Sequence, residues 1–410
     1  MDSTFVFYCI IGILISEFLL TTFLNYLNAK RFKDPVPEDV RDLYNADEYE
    51  KSQAYKYTNY RFGILTSTFS LVLILGFLLL GGFGWVDNLA NQITTAPIPK
   101  ALIFFGIILI GSDILSTPFS YYQTFVIEEK FGFNKTTLKT FILDKLKGWI
   151  MISIIGGIIL SMVIWFFQWA GTNFWIYTWI LVALFTVFTN LFYSKLIVPL
   201  FNKQEPLQNG SLKEKIESYA NKVGFELNNI FVINGSKRST KANAYFSGFG
   251  KEKRVTLYDT LINDLEEDEI LAVLAHEIGH YKKKHIIFNL TTSILLSGLM
   301  LFVLSIFINN PNLSLAIGVA QPSFHAALIS FGILYSPISE VTGLLMNYLS
   351  RKFEYEADNF AKNTFSETPL ISSLKKLSKN SLSNLTPHPA YVFMHYSHPP
   401  LVKRIQNLKA

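Results

Sequence analysis

The chain has 410 residues, half of them hydrophobic and only 16% charged, where an average soluble domain carries about 25% charged residues. With 36 Phe and 20 Tyr, this balance excludes a disordered or collagen-like chain and an ordinary soluble enzyme. Cys9 is the single cysteine and the formal net charge is +5, which excludes a disulfide framework and any multi-cysteine metal or cluster site.

Seven stretches are long enough to cross the roughly 30 Å of a bilayer core. The first, 4–24, contains Glu17. It lacks a basic leader, so it is expected to be a permanent helix and not a signal peptide. The others are 62–85, 101–118 with Asp113, 149–169, 174–193 running on towards 200, 286–308, and 324–348 with Glu340. Carboxylates inside a membrane are costly and face a cavity or a partner. Either an internal chamber or a transport path accounts for these three.

With seven spans, the loops alternate sides, and 35 of the 36 Lys and Arg fall on one side. Lys100 is the exception. This places the N-terminus outside and the long insert and C-terminal tail in the cytoplasm. The expected organisation is 1–193, five helices; 194–285, a cytoplasmic insert; 286–348, helices six and seven; and 349–410, a tail packed against the insert. The fold class is mainly α. Lys282, Lys283 and Lys284 are expected to anchor the sixth span at anionic headgroups. No Gly-rich phosphate loop and no nucleic-acid signature stand out.

The insert ends in His276-Glu277-Ile278-Gly279-His280. On a helix the two histidines share one face, one turn apart, and both imidazoles reach one zinc ion. Glu277 is placed to act on the attacking water. Glu266, Glu267, Asp268 and Glu269 supply the acidic first turn that suits a helix N-terminus. An exposed amphipathic helix with solvated histidines is the plain alternative, but the apolar flanks argue against it.

A site of this class needs a third protein ligand. His285 lies five residues beyond His280 and is expected to be rotated off the face. The chain returns from its last hairpin near Tyr348, so the next residues should land beside His280. Among them Glu354 and Asp358 are one helical turn apart. Glu354 is the expected third ligand, and Asp358 is expected to hold a ligating imidazole in place. Glu356, two residues from Glu354, points nearly opposite.

These residues resemble the type I CAAX prenyl proteases, integral-membrane zinc endopeptidases of the gluzincin kind. The string 118–134, PFSYYQTFVIEEKFGFN, resembles the family's loop between its third and fourth spans. Asn243, Ala244, Tyr245 and Phe246, with Gly248 and Phe249, resemble its substrate-edge strand. Tyr396-Ser397-His398-Pro399-Pro400 with Arg404 resembles its C-terminal motif. Lys352 stands where Arg is common in the family, and Glu356 where Gln is common.

The resemblance implies seven helices around a water-filled chamber, capped by a zinc domain with a small sheet. It implies one zinc per chain and cleavage near the C-terminus of a prenylated CAAX or other hydrophobic peptide. His398 and Arg404 would then assist Glu277 by donating to the oxyanion, and residues 243–246 would hold an extended substrate. From the residues alone, 243–246 is as readily an ordinary strand of the insert, and His398 the surface residue before a Pro-Pro turn. The expected protein is a monomer in the bilayer, in a bacterial inner membrane by preference or the ER if eukaryotic. Two other functions fit the same residues: a quality-control protease of misfolded membrane proteins, and a metal-binding transporter. A transporter would show an internal repeat, and none is visible.

Overall fold

The computed structural model describes residues 2–227, 229–248 and 253–410; Phe249 lies outside them. Among the described residues, six helical runs are long and apolar enough to cross a membrane: Ser3–Lys33, Ala46–Leu79, Pro97–Phe131, Leu138–Phe201, His285–Phe307 and Phe324–Thr364.

The runs differ instructively from the apolar stretches. The second begins at Ala46, well before residue 62. Asn45 Oδ1 accepts from the Glu48 amide at 2.8 Å, and Glu48 returns the contact to the Asn45 amide at 3.1 Å. This reciprocal cap fixes a helix start that hydropathy does not register. The same helix stops at Leu79, and a separate helix, Gly82–Ile93, follows a turn. The third run does not end at Pro118. It passes through it and continues by a π-helical segment, Gln123–Glu128, to Phe131. The 118–134 string is therefore largely helical and not a loop. Pro118 removes one backbone donor within this helix, and the π-helical segment follows five residues further on.

The fourth run reverses direction at Gly171, whose φ of +54° suits a residue without Cβ. Phe174–Phe192 packs back on Gly157–Ala170 through ring contacts of Phe166 and Trp169 with Tyr177. The last run continues unbroken past Tyr348 to Thr364. One continuous helix, with Pro337 inside it, thus carries both a membrane span and the residues of the tail motif.

Buried positions gather at the two ends of the helices. On the first helix they are Val6 and Ile10, then Leu24 and Asn28. On Ala46–Leu79 they are Tyr49, Ser52 and Lys56, then Leu78. On Phe324–Thr364 they lie between 324 and 331 and between 354 and 361, and Leu138–Met151 buries none. The far end is closed by a core that includes Ile10, Phe83, Phe104, Phe174 and Leu304. There Lys100, the exception to the charge asymmetry, is paired with Asp87 at 3.0 Å, and Asp87 also accepts from His325 at 2.7 Å. Asp113 is bound by Lys145 at 3.0 Å and by the Trp149 indole at 2.8 Å. Glu17 accepts from Ser336.

The opposite end carries a four-stranded sheet in the order β1 (Gln204–Pro206), β2 (Ile230–Ile233), β4 (Arg254–Tyr258), β3 (Ala244–Ser247). The β2–β4 pair is parallel and the other pairs antiparallel, which leaves β3 at an edge. A core of Ile216, Phe225, Leu257, Ile270 and Leu274 joins the sheet to its helices. Arg238 locks this unit to the membrane helices with a bidentate pair to Asp144 at 2.7 and 2.9 Å.

The helix Glu267–Lys282 starts with a second reciprocal cap between Glu266 and Glu269. It lies against the long helix, where Gly279 meets Ala357 and Phe360, and Ala272, Ala275 and Ala361 are buried in one core there. A Cβ on Gly279 would sit 3.1 Å from the Ala357 backbone and 3.2 Å from Phe360 Cβ. Gly279→Val should therefore force the two helices apart. Overpacking of this kind costs about 1–3 kcal/mol, read as a lowered thermal midpoint, with loss of metal binding; Gly279→Ala should be much milder.

Candidate metal centre

The cap at Glu266 sets the phase of the helix that presents His276 and His280. The long helix presents Glu354 and Asp358, one turn apart, across the Gly279 contact. His280 Nε2 lies 3.2 Å from Glu354 Oε1 and 3.2 Å from His276 Nε2. His276 Nε2 lies 3.4 Å from Glu354 Oε2. One ligand atom from each of the three falls within 4.8 Å of the others. Glu354 is 3% exposed and His276 7%.

This donor set fits a divalent cation. Glu354 Oε2 is buried and makes no close hydrogen bond, its nearest polar neighbours being His276 Nε2 and Arg404 Nη1, each at 3.4 Å. Two imidazole Nε2 atoms face the same point. Burial lowers the His276 pKa, but hydrogen bonds to Asp358 and Glu354 outweigh it and raise the imidazole to about 9. The pocket thus favours positive charge at this position, which a metal ion supplies.

Asp358 is buried, and its Oδ1 lies 2.9 Å from His276 Nδ1. That contact leaves Nε2 for ligation, the usual second contact of a metal-bound histidine. Arg404 grips Asp358 with Nε at 2.8 Å and Nη2 at 2.5 Å. Its Nη1 lies 3.4 Å from Glu354 Oε2. Of the two expected oxyanion donors, Arg404 is thus engaged by carboxylates. His398 is open, with a side chain 64% exposed and Nε2 3.2 Å from Glu354 Oε1. Ser397 holds its other nitrogen at 3.0 Å.

A cleft of about 780 Å³ opens onto the cluster, and Asn243, Ala244, Glu277, His398 and Arg404 are among its lining residues. Burial, partly offset by His276 and His280, pushes the Glu277 carboxyl above the usual carboxylate range. Edge strand β3 borders this cleft. Tyr245 turns towards Ser194, at 3.2 Å, and Phe246 packs on Phe225 and Tyr281. Tyr245 and Phe246, as successive strand residues, point to opposite faces, and neither lines the cleft, whereas Asn243 and Ala244 do.

His285 is not among the three clustered ligand residues, but it lies directly behind His280. The helix ends at Lys282, Lys284 adopts a left-handed conformation with φ +62°, and a new helix begins at His285. The break returns the His285 ring to within 3.1 Å of His280 Nδ1. A run of three lysines gives no glycine to signal such a turn, so the sequence did not expose it.

The fold and the site together define a membrane-embedded metallopeptidase. A family model described as "CAAX prenyl protease N-terminal, five membrane helices" matches residues 25–203. A second, "Peptidase family M48", matches residues 206–410. The CAAX prenyl protease 1 homolog of Dictyostelium discoideum is 36% identical, covering 96% of this chain and 95% of its own. The CAAX prenyl protease 1 of Saccharomyces cerevisiae is 33% identical, covering 97% and 94%. The crystal structure of S. mikatae Ste24p superposes with a TM-score of 0.94 at 32% identity, over 99% of each chain. The chain belongs to the type I CAAX prenyl proteases of peptidase family M48 and is a multi-pass membrane metalloprotease.

A cation entering the cluster must displace the proton that His276 holds below about pH 9. Metal binding at neutral pH should therefore release protons, so its calorimetric enthalpy should vary with the ionisation enthalpy of the buffer. A buffer-independent enthalpy would place the metal elsewhere. Glu354→Ala should abolish most of the binding.

Proposed function

We propose that the protein is a zinc endopeptidase that cuts prenylated CAAX-type peptides near their C-terminus. The observation that carries this is the meeting of His276, His280 and Glu354 from two helices in the cleft that also holds Glu277. Two imidazoles, one carboxylate and no thiolate suit zinc with an open fourth position. Zinc bound there would acidify a water molecule and polarise the scissile carbonyl.

The protein's own groups do the rest. Glu277 accepts the proton of the attacking water and delivers it to the leaving amine; its raised pKa suits both transfers. His398 Nε2 donates to the developing oxyanion. Asp358, held by Arg404, keeps His276 in its ligating orientation. The substrate pairs with the free edge of β3 in extended form, bringing its scissile bond over the cluster.

The scarcity of burial along the middle of the helices supports a chamber. A solid bundle would bury residues along its whole length, whereas here the cores lie at the ends. Counting the two arms of Leu138–Phe201 separately gives seven spans around it. The charge asymmetry, 35 of 36 Lys and Arg, supports a cytoplasmic metal domain; Lys100, the one exception, is paired with Asp87. The names of the relatives support a prenylated substrate, whose lipid the chamber would receive.

Glu277→Gln should keep the metal and fold but lose about 10²–10⁴-fold in turnover. Mass spectrometry of a farnesylated CAAX peptide should show loss of the last three residues with the wild type and near-complete protection with the variant. Equal cleavage of farnesylated and unmodified hydrophobic peptides would favour a quality-control protease instead. For orientation, a cysteine introduced at the exposed Asn91 should react with an impermeant thiol reagent in intact cells. Labelling at Asn209 in its place would reverse the topology.

A further inference from the structure

The turn at Lys284 sets up a contact that the hydrolytic mechanism above does not use. We propose that Glu356 and His285 form a positioning relay that fixes the tautomer and ring orientation of the metal ligand His280. The inference rests on reading His280 as a ligand.

Three groups lie in line. Glu356 Oε2 is 3.1 Å from His285 Nε2, and His285 Nδ1 is 3.1 Å from His280 Nδ1. The His285 ring is 3% exposed and stacks on Phe353 at 4.1 Å with an interplanar angle of 12°. Phe353 and Glu356 belong to the long helix that carries Glu354, so the helix supplying the third ligand also holds the ring behind the second.

The proton positions follow from the chemistry of each atom. His280 must present a lone pair on Nε2, which faces Glu354 and His276. Its proton is then on Nδ1 and is donated to His285. His285 Nδ1 must accept, so the His285 proton is on Nε2 and needs an acceptor of its own. An ionised carboxylate has acceptor sites only, and Glu356 meets that need. One arrangement satisfies every nitrogen, and it leaves His280 ready to bind metal. Asp358 does the same for His276 in a single step. The two ligating histidines are therefore each oriented from behind by a carboxylate of the long helix, one directly and one through His285.

Residue 356 thus decides the proton order of the chain. Its side chain is 38% exposed and makes a weak 4.0 Å contact with Lys352, so removing it should disturb packing little. Loss of outer contacts of this kind typically lowers metal affinity or activity by roughly 10–100-fold.

The test measures zinc affinity of the purified full-length protein by competition with a chromophoric chelator, together with the thermal midpoint of metal-depleted protein. Glu356→Ala should weaken zinc binding by roughly 10-fold or more without moving the midpoint. Glu356→Gln, whose amide oxygen can still accept, should recover most of the affinity, and Glu356→Lys, which can only donate, should be the weakest. With zinc saturating, the KM for peptide should be unchanged in Glu356→Gln. Wild-type affinity in Glu356→Ala would overturn the relay, as would equal losses in the Ala and Gln variants accompanied by a lowered midpoint. His280→Ala separates the two levels of the argument. If it binds zinc normally, the ligand assignment itself fails. If it loses zinc while Glu356→Ala does not, only the relay fails.

Discussion

The close contact at Gly279 is the constraint on which the site depends. A metal centre of the proposed kind requires three side-chain atoms to converge within a few ångströms, and the clustered atoms of His276, His280 and Glu354 come from two helices. Imidazole and carboxylate side chains are short, so the helix axes must be close. The buried Ala272, Ala275 and Gly279 on one helix and Ala357 and Ala361 on the other permit this. A Cβ on this Gly would sit 3.1 Å from the Ala357 backbone, so a side chain larger than a methyl there would force the two helices apart. The same small-residue seam places Asp358 behind His276 and brings Glu356 to His285.

A second consequence follows from the length of the Phe324–Thr364 helix. It begins in the core at the far end and finishes inside the metal domain, so one continuous helix links the two. Further ties between domain and membrane helices are both polar and apolar. Arg238 is held by Asp144, and Lys241 bridges Glu128 at 2.9 Å and Tyr55 at 3.0 Å. These ties cluster on the side of the string 118–134. Its helical continuation carries Glu128 into the interface, while Phe131 and Phe133 pack with Tyr44 and Ile405. Residues that look like a loop in the sequence thus fasten the metal domain to the membrane helices.

Much of the site was legible because its signals are local or topological. His276, Glu277 and His280 are fixed by helical spacing, and Glu354 and Asp358 by the return of the chain from a hairpin. Helix ends were less legible. Hydropathy marks where apolar residues are, and Ala46–Leu79 and Phe324–Thr364 extend as polar helix far beyond their apolar parts. The Asn45–Glu48 cap was readable in principle as a start signal. The left-handed Lys284 was not, since neither Gly nor Asn marks it, and the contact of His285 with the back of His280 follows from that turn. Arg404 was legible as part of a motif, but its grip on Asp358 is a tertiary contact that spacing does not encode. β3 was recognisable as a strand; its place at the sheet edge depends on the β2–β4 pairing, which lies outside any local pattern.

The central claim is that one metal ion, held where the two helices meet, enables peptide cleavage. Titration of metal-depleted protein with zinc, following cleavage of a farnesylated CAAX peptide, tests it most directly. The account predicts no cleavage at the start and a linear rise that breaks at about one equivalent of zinc per chain, as one three-ligand site requires. Cleavage by metal-free protein, or a rise that continues to two equivalents, would contradict it.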